Sequence, residues 1–205
     1  MAGIGVRLNR IFEKNTLTTN LVGFFYSTVV TVAPMFVIII NLILMEYLLD
    51  FASVGYVTRE LFSCTILYTF IFSLLTASPF NAVLSRYMSD VIYEERYQDI
   101  LPCYHIGMLL NIGLSCLLGI PFCLWEHFVG KVPTAYVFCG FCGYISLVLV
   151  FYSMIYLSIC KDYQRISQYF FFGMLVAFVL ALILHFILKW ETTWRMLFSL
   201  TIGFF

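Results

Sequence analysis

The residues of this chain that invite chemistry are two cysteines three apart, Cys139 and Cys142, three histidines, and a scatter of carboxamides and phenols inside apolar runs. A C-x-x-C pair is the spacing of zinc sites and thiol–disulfide catalysts. Here it lies within an apolar helix, without a second pair or a nearby histidine, so both cysteines read as small hydrophobes. Cys64, Cys103, Cys116, Cys123 and Cys160 lie in or beside similar runs, and all seven read as thiols. Haem ligation needs facing histidines at one depth, whereas the topology below puts His105 at the inner side and His127 and His185 toward the outside. No Gly-rich phosphate loop and no nucleophile, base and carboxylate constellation occurs. The expectation is a protein that is not an enzyme and holds neither metal nor cofactor.

Neutral polar groups are more promising. Asn41, Asn81 and Asn111, with the hydroxyls of Tyr26, Tyr68, Tyr144 and Tyr152, enter apolar runs where a sugar would need donors and acceptors. The competing reading is interhelical hydrogen bonding, about 0.6–2 kcal/mol per contact in a membrane. Pro34 and Pro79 interrupt two successive runs, freeing carbonyls for a hinge or a cavity wall, or merely bending helices that neighbours support. Glu46, Asp50, Glu60, Glu126 and Glu191 fall at run ends, where solvation suits a surface role better than ion coupling, and no ionisable group sits mid-run. Arg86, Asp90 and Glu94 follow one another at i, i+4 and i+8, with Leu84, Met88 and Val91 on another face. That pattern predicts a helix continuing beyond the membrane with a charged side free to meet a partner.

The elements that must position these residues follow from composition. The chain has 205 residues, of which 62% are hydrophobic and 11% charged; its mean hydropathy is +0.98. Soluble domains carry about a quarter charged residues, so water is not the main solvent. Eleven basic and eleven acidic side chains cancel, leaving no field to attract nucleic acid. A stretch of about 20 apolar residues spans the hydrocarbon core as a helix. Residues 21–45, 61–84, 101–124, 135–159 and 166–188 qualify, and a truncated sixth runs over 196–205. The first run is too long for a signal peptide.

The fold expected is an all-α, polytopic transmembrane bundle over 21–205. With the N-terminus in the cytoplasm, seven basic residues (Arg7, Arg10, Lys14, Arg86, Arg96, Lys161, Arg165) lie inside and four (Arg59, Lys131, Lys189, Arg195) outside. Trp125, Trp190 and Trp194 then all fall at the outer interface. Over 1–20, Ile4, Leu8 and Ile11 share one helical face and Arg7, Arg10 and Lys14 another. This suits a helix lying on the cytoplasmic leaflet, or an ordinary positive flank. In 166–188, Gly173, Ala177 and Ala181 recur every four residues, a smooth stripe for close helix packing.

Several blocks together resemble the PelG family: Met1-Ala2-Gly3-Ile4-Gly5, Tyr68-Thr69-Phe70-Ile71-Phe72-Ser73, and Arg86-Tyr87-Met88-Ser89-Asp90-Val91-Ile92-Tyr93. Ile100-Leu101-Pro102 and Lys161-Asp162-Tyr163, with Ile166, Phe170 and Gly173, extend the likeness along essentially the whole chain. Ala33 and Ser78 stand before the membrane prolines where the family tends to have glycine.

The resemblance implies a bacterial inner-membrane exporter of an amino-sugar exopolysaccharide in the multidrug, oligosaccharidyl-lipid and polysaccharide flippase superfamily. Two MATE-like lobes of about six helices would alternate access around a central cavity, this chain supplying one. It also implies a cytosolic glycosyltransferase and small membrane subunits as partners, with cyclic-di-GMP acting on a partner. Flipping of a lipid-linked oligosaccharide and a non-transporting scaffold for a synthase remain as alternatives.

Overall fold

Lipid offers backbone N–H and C=O groups no partners, so an apolar chain must satisfy them within helices or closed barrels. The computed structural model describes residues 36–49, 51–159, 163–187 and 192–205, and every regular element among them is helical. The N-terminal segment 1–20, Tyr26, Pro34 and most of the first expected span lie outside the described residues.

The helices are α1 (Phe36–Leu48), α2 (Tyr56–Tyr93), α3 (Ile100–Phe128), α4 (Thr134–Ile159), α5 (Tyr163–Ile187) and α6 (Thr192–Phe204). Single 3-10 turns occupy Phe51–Ser53 and Tyr97–Asp99. Four helices, α2 to α5, contain windows long and apolar enough to cross a membrane. Only 11% to 39% of each window is buried within the protein. Large side chains such as Leu75, Leu109, Leu117, Phe172 and Phe186 point outward, as lipid permits and water does not.

The longest helix, α2, runs past the expected 61–84 at both ends and continues unbroken through Pro79. Its extension to Tyr93 buries Leu84, Met88 and Val91, the face that the sequence pattern marks, and leaves Arg86 and Asp90 exposed. Paired backbone bonds then stop the helix: Arg96 N donates to Val91 O at 3.0 Å and Glu95 N to Ile92 O at 3.2 Å. This is a Schellman closure, which needs a left-handed residue, and Glu95 supplies it at φ 58°. Pro102 sits in the first turn of α3, where an amide hydrogen would have no intrahelical acceptor anyway.

At the hub is α4, which packs against α2, α3, α5 and α6, most extensively against α2. Small residues make this possible. A Cβ on Gly143 would lie 3.1 Å from Thr201 Oγ1 of α6. The second close pair is α5 with α6, along the predicted stripe: a Cβ on Gly203 would lie 2.5 Å from Ala177 Cβ and 2.7 Å from Gly173 O. Ala177 and Ala181 are buried there. The main core joins Met45, Phe62, Tyr136, Met174, Met196 and Leu200 from five helices, and two smaller clusters run along the seam between α2, α3 and α4.

Candidate functional site

Three membrane-length helices converge in that seam, and their side chains decide where it opens. At the end nearest the α3–α4 connection it parts into a cavity of about 290 Å³. From α2 come Thr65, Tyr68, Thr69, Phe72 and Thr76; from α3, Gly119, Phe122, Cys123 and Glu126; from α4, Tyr136, Gly140, Phe141 and Tyr144. Rings define the walls: Phe72 and Phe122 lie 5.8 Å apart between centroids, and Tyr68 and Phe72 6.2 Å. Glycine keeps the rings from closing the space. A Cβ on Gly119 would fall 2.6 Å from the Phe141 ring and 3.3 Å from Tyr144.

Hydroxyls hold α4 to α2 along this wall. Thr76 Oγ1 donates to Phe72 O at 2.8 Å and lies 2.7 Å from Tyr144 OH. Threonine has one hydrogen, so Tyr144 must donate to Thr76. The same relay recurs two to three turns away, where Tyr136 OH donates to Thr65 Oγ1 at 3.4 Å and Thr65 donates to Leu61 O at 2.7 Å. Each link leaves its phenol oxygen free to accept. The wall therefore offers aromatic faces and hydroxyl acceptors together, the pairing that suits the CH-rich faces and O–H groups of a sugar ring.

At the opposite end, toward the α2–α3 connection, the same seam is closed. Tyr104 stacks on Tyr152 at 5.3 Å and 18° and meets Tyr156 at 4.8 Å. Tyr152 OH donates to Tyr104 O at 3.2 Å, and Tyr104 OH lies 2.7 Å from Ser153 Oγ. Leu84, Met88 and Tyr152 are buried beneath.

The polar residues singled out from sequence are distributed rather than gathered. Tyr68 and Tyr144 line the cavity, whereas Tyr152 belongs to the closed end. Asn41 links α1 to α5 by donating to Met174 O at 2.7 Å. Asn111 donates to Gly107 O of its own helix at 3.0 Å. The carboxamide oxygens of Asn41, Asn81 and Asn111 are buried without a partner. None of these three asparagines lines the cavity, nor does Pro79. A further proline, Pro121, lies within α3.

Glu126 is the functional candidate that reading by run position misses. It sits two residues from the end of α3, as its place in the sequence suggests, but it lines the cavity instead of simply facing solvent. In the α2–α3 connection, Arg96 pairs with Glu94 and lies 3.5 Å from Asp99. The hydrogen bond and charge of Glu94 raise the Arg96 guanidinium above its ordinary value, though exposed pairs contribute little to stability. Among the described residues, Arg86 forms no ion pair with Asp90 or Glu94. His185 Nδ1 accepts from Arg195 Nη1 at 2.8 Å, since guanidinium can only donate.

A family model described as "PelG: Putative exopolysaccharide Exporter (EPS-E)" matches residues 1–205. No curated protein and no solved structure matches the chain.

Proposed function

This chain belongs to the PelG family of exopolysaccharide exporters, and from that premise we propose that it forms one wall of the path by which an amino-sugar exopolysaccharide leaves the cell. The observation that carries this reading is the α2/α3/α4 cavity, about 290 Å³ and walled by aromatic rings and hydroxyls. Its volume suits one or two sugar units at a time, the scale on which a polymer threads past a wall.

In this reading the chain sits in the bacterial inner membrane with its N-terminus cytoplasmic. The cavity then occupies the outer half of the seam, and the tyrosine cluster closes the cytoplasmic half. Alternating access follows as the exchange of that closure between ends, driven against a second lobe of similar size. Arg86, Asp90 and Glu94, on the cytoplasmic extension of α2 and just past it, contact the synthase side, where a cytosolic glycosyltransferase and small membrane subunits deliver polymer.

The test is to fill the cavity. Gly140→Leu places a branched side chain in the lining, while Gly113→Leu adds the same bulk where nothing lies within 4 Å. Secretion should fall with Gly140→Leu and persist with Gly113→Leu, both at unchanged membrane abundance. Undiminished secretion with the cavity filled sinks the proposed path and leaves a scaffold. Lipid-linked sugar accumulating on loss of the protein points to oligosaccharide flipping. Joint replacement of Arg86 by Gln and Asp90 by Asn checks the partner contact: secretion should drop while abundance holds.

A further inference from the structure

Arg195 is a cation buried without an anion. It is 6% exposed, stands in the first turn of α6, and forms no ion pair among the described residues. Its Nε is buried without a partner. Neutral acceptors hold the rest of the group: Nη2 donates to Thr192 Oγ1 and Nη1 to His185 Nδ1 of α5, each at 2.8 Å. An uncompensated buried charge is costly, so each acceptor matters. One of the two can be switched off. Because a guanidinium only donates, His185 accepts through Nδ1 and carries its hydrogen on Nε2. A protonated ring has no lone pair to offer and sets a second positive charge against the first.

The contact lies at one end of a helix pair that is fixed differently at the other. Gly203 meets α5 so closely that a Cβ there would lie 2.5 Å from Ala177 Cβ. That contact is steric and has nothing to titrate. Around the Arg195 end, α1 brings Glu46, α2 brings Arg59 and Glu60, and α4 with the turn before it brings Tyr136 and Lys131. Tyr136 meets the ring of Trp194 at 5.7 Å. None of these five bonds to Arg195 or His185. Asp50, Lys189 and Glu191 adjoin these elements in sequence and lie outside the described residues. His127 of α3 is turned to Val132 O and Thr134 Oγ1 instead.

We propose that the His185–Arg195 contact is a pH-sensitive joint. A neutral imidazole holds the start of α6 against α5; protonation releases it, and α6 pivots about the Gly203 contact. A folded state that needs the neutral ring is held best above the range in which imidazole titrates, and loses that contribution as pH falls through it. The joint works in either orientation of the bundle and whatever passes through the cavity.

The experiment uses the purified full chain in nanodiscs. Hydrogen–deuterium exchange, corrected for the intrinsic effect of pH, is compared at about pH 8 and about pH 5. In wild type, segments 182–187 and 195–199 should lose roughly tenfold in protection at the lower pH, the size expected of a hydrogen bond to a charged group. Segments 170–177 and 200–204, around the Gly203 contact, should keep theirs. His185→Asn, which keeps an acceptor near the Nδ1 position but takes no proton, should remove the response. Arg195→Met should also remove it, and loss of an uncompensated charge is well tolerated. His185→Lys should leave the joint open at both pH values.

Equal protection at the two pH values in wild type, or a response that survives His185→Asn or Arg195→Met, overturns the proposal. Loss of the response in Asp50→Asn or Glu191→Gln also overturns it, because the proton would then belong to a carboxylate.

Discussion

The two ends of the α2/α3/α4 seam are built from the same helices and differ in what fills them. Toward the α3–α4 connection, Gly119 and Gly140 sit among rings that stand apart, and threonine–tyrosine relays tie α2 to α4 across an open space. Toward the α2–α3 connection, Tyr104, Tyr152 and Tyr156 pack on one another above Leu84 and Met88. Ring count does not separate the ends, since both are aromatic. What separates them is whether rings meet one another or are held off by hydroxyl links, with glycines making room between.

The sharpest way to break the contrast is to remove the plug. Tyr152 is wholly buried, and Tyr152→Ala should cost about 3–5 kcal/mol as other buried aromatic truncations do. Thermal unfolding in detergent measures the loss. In the same variant, Cys103, packed against the plug, should react faster with a polar thiol reagent, while labelling of Cys123 in the cavity should stay as it was.

A smaller effect is expected from cutting one relay at the open end. Thr76→Val strands the buried Tyr144 hydroxyl and should cost about 1–3 kcal/mol. Adding Tyr144→Phe should restore part of that loss, and the double-mutant cycle on unfolding free energies measures the coupling. Additive losses would mean that the 2.7 Å contact does not hold the wall.

The smallest change lies beside the closed end, at the Schellman turn. A non-glycine residue in the left-handed region costs about 1–2 kcal/mol, and glycine regains part of that against its own greater unfolded-state freedom. Glu95→Gly should therefore stabilise by up to about 1 kcal/mol, seen as a modest rise in melting temperature. No rise would mean that Glu95 is held there by contacts that offset the strain.

Much of this architecture was legible beforehand. The Leu84, Met88 and Val91 face announced the continuation of α2, and the Gly173, Ala177 and Ala181 stripe announced a close helix neighbour, which proved to be α6 with Gly203 in contact. Both signals are local: one is the periodicity of a helix leaving the membrane, the other the absence of side-chain bulk on one side. Other residues gave no such signal. Asn41 reaches the backbone of α5 at Met174, far along the chain, and nothing near Asn41 specifies that acceptor. Glu126 stands at the end of an apolar run, where position alone suggests solvent, but it lines the cavity formed with α2 and α4.

By itself the sequence determined the solvent and the secondary structure, because long apolar runs in lipid leave the backbone no choice but internal hydrogen bonds. It also determined which stripes are small enough for helices to touch. The tertiary structure alone decided which faces of α2, α3 and α4 meet, and so where the cavity lies and which end is shut. In water, apolar periodicity would have marked the inward faces. In lipid, the outward face is as apolar as the core, so that pattern fades and packing shape chooses the partners.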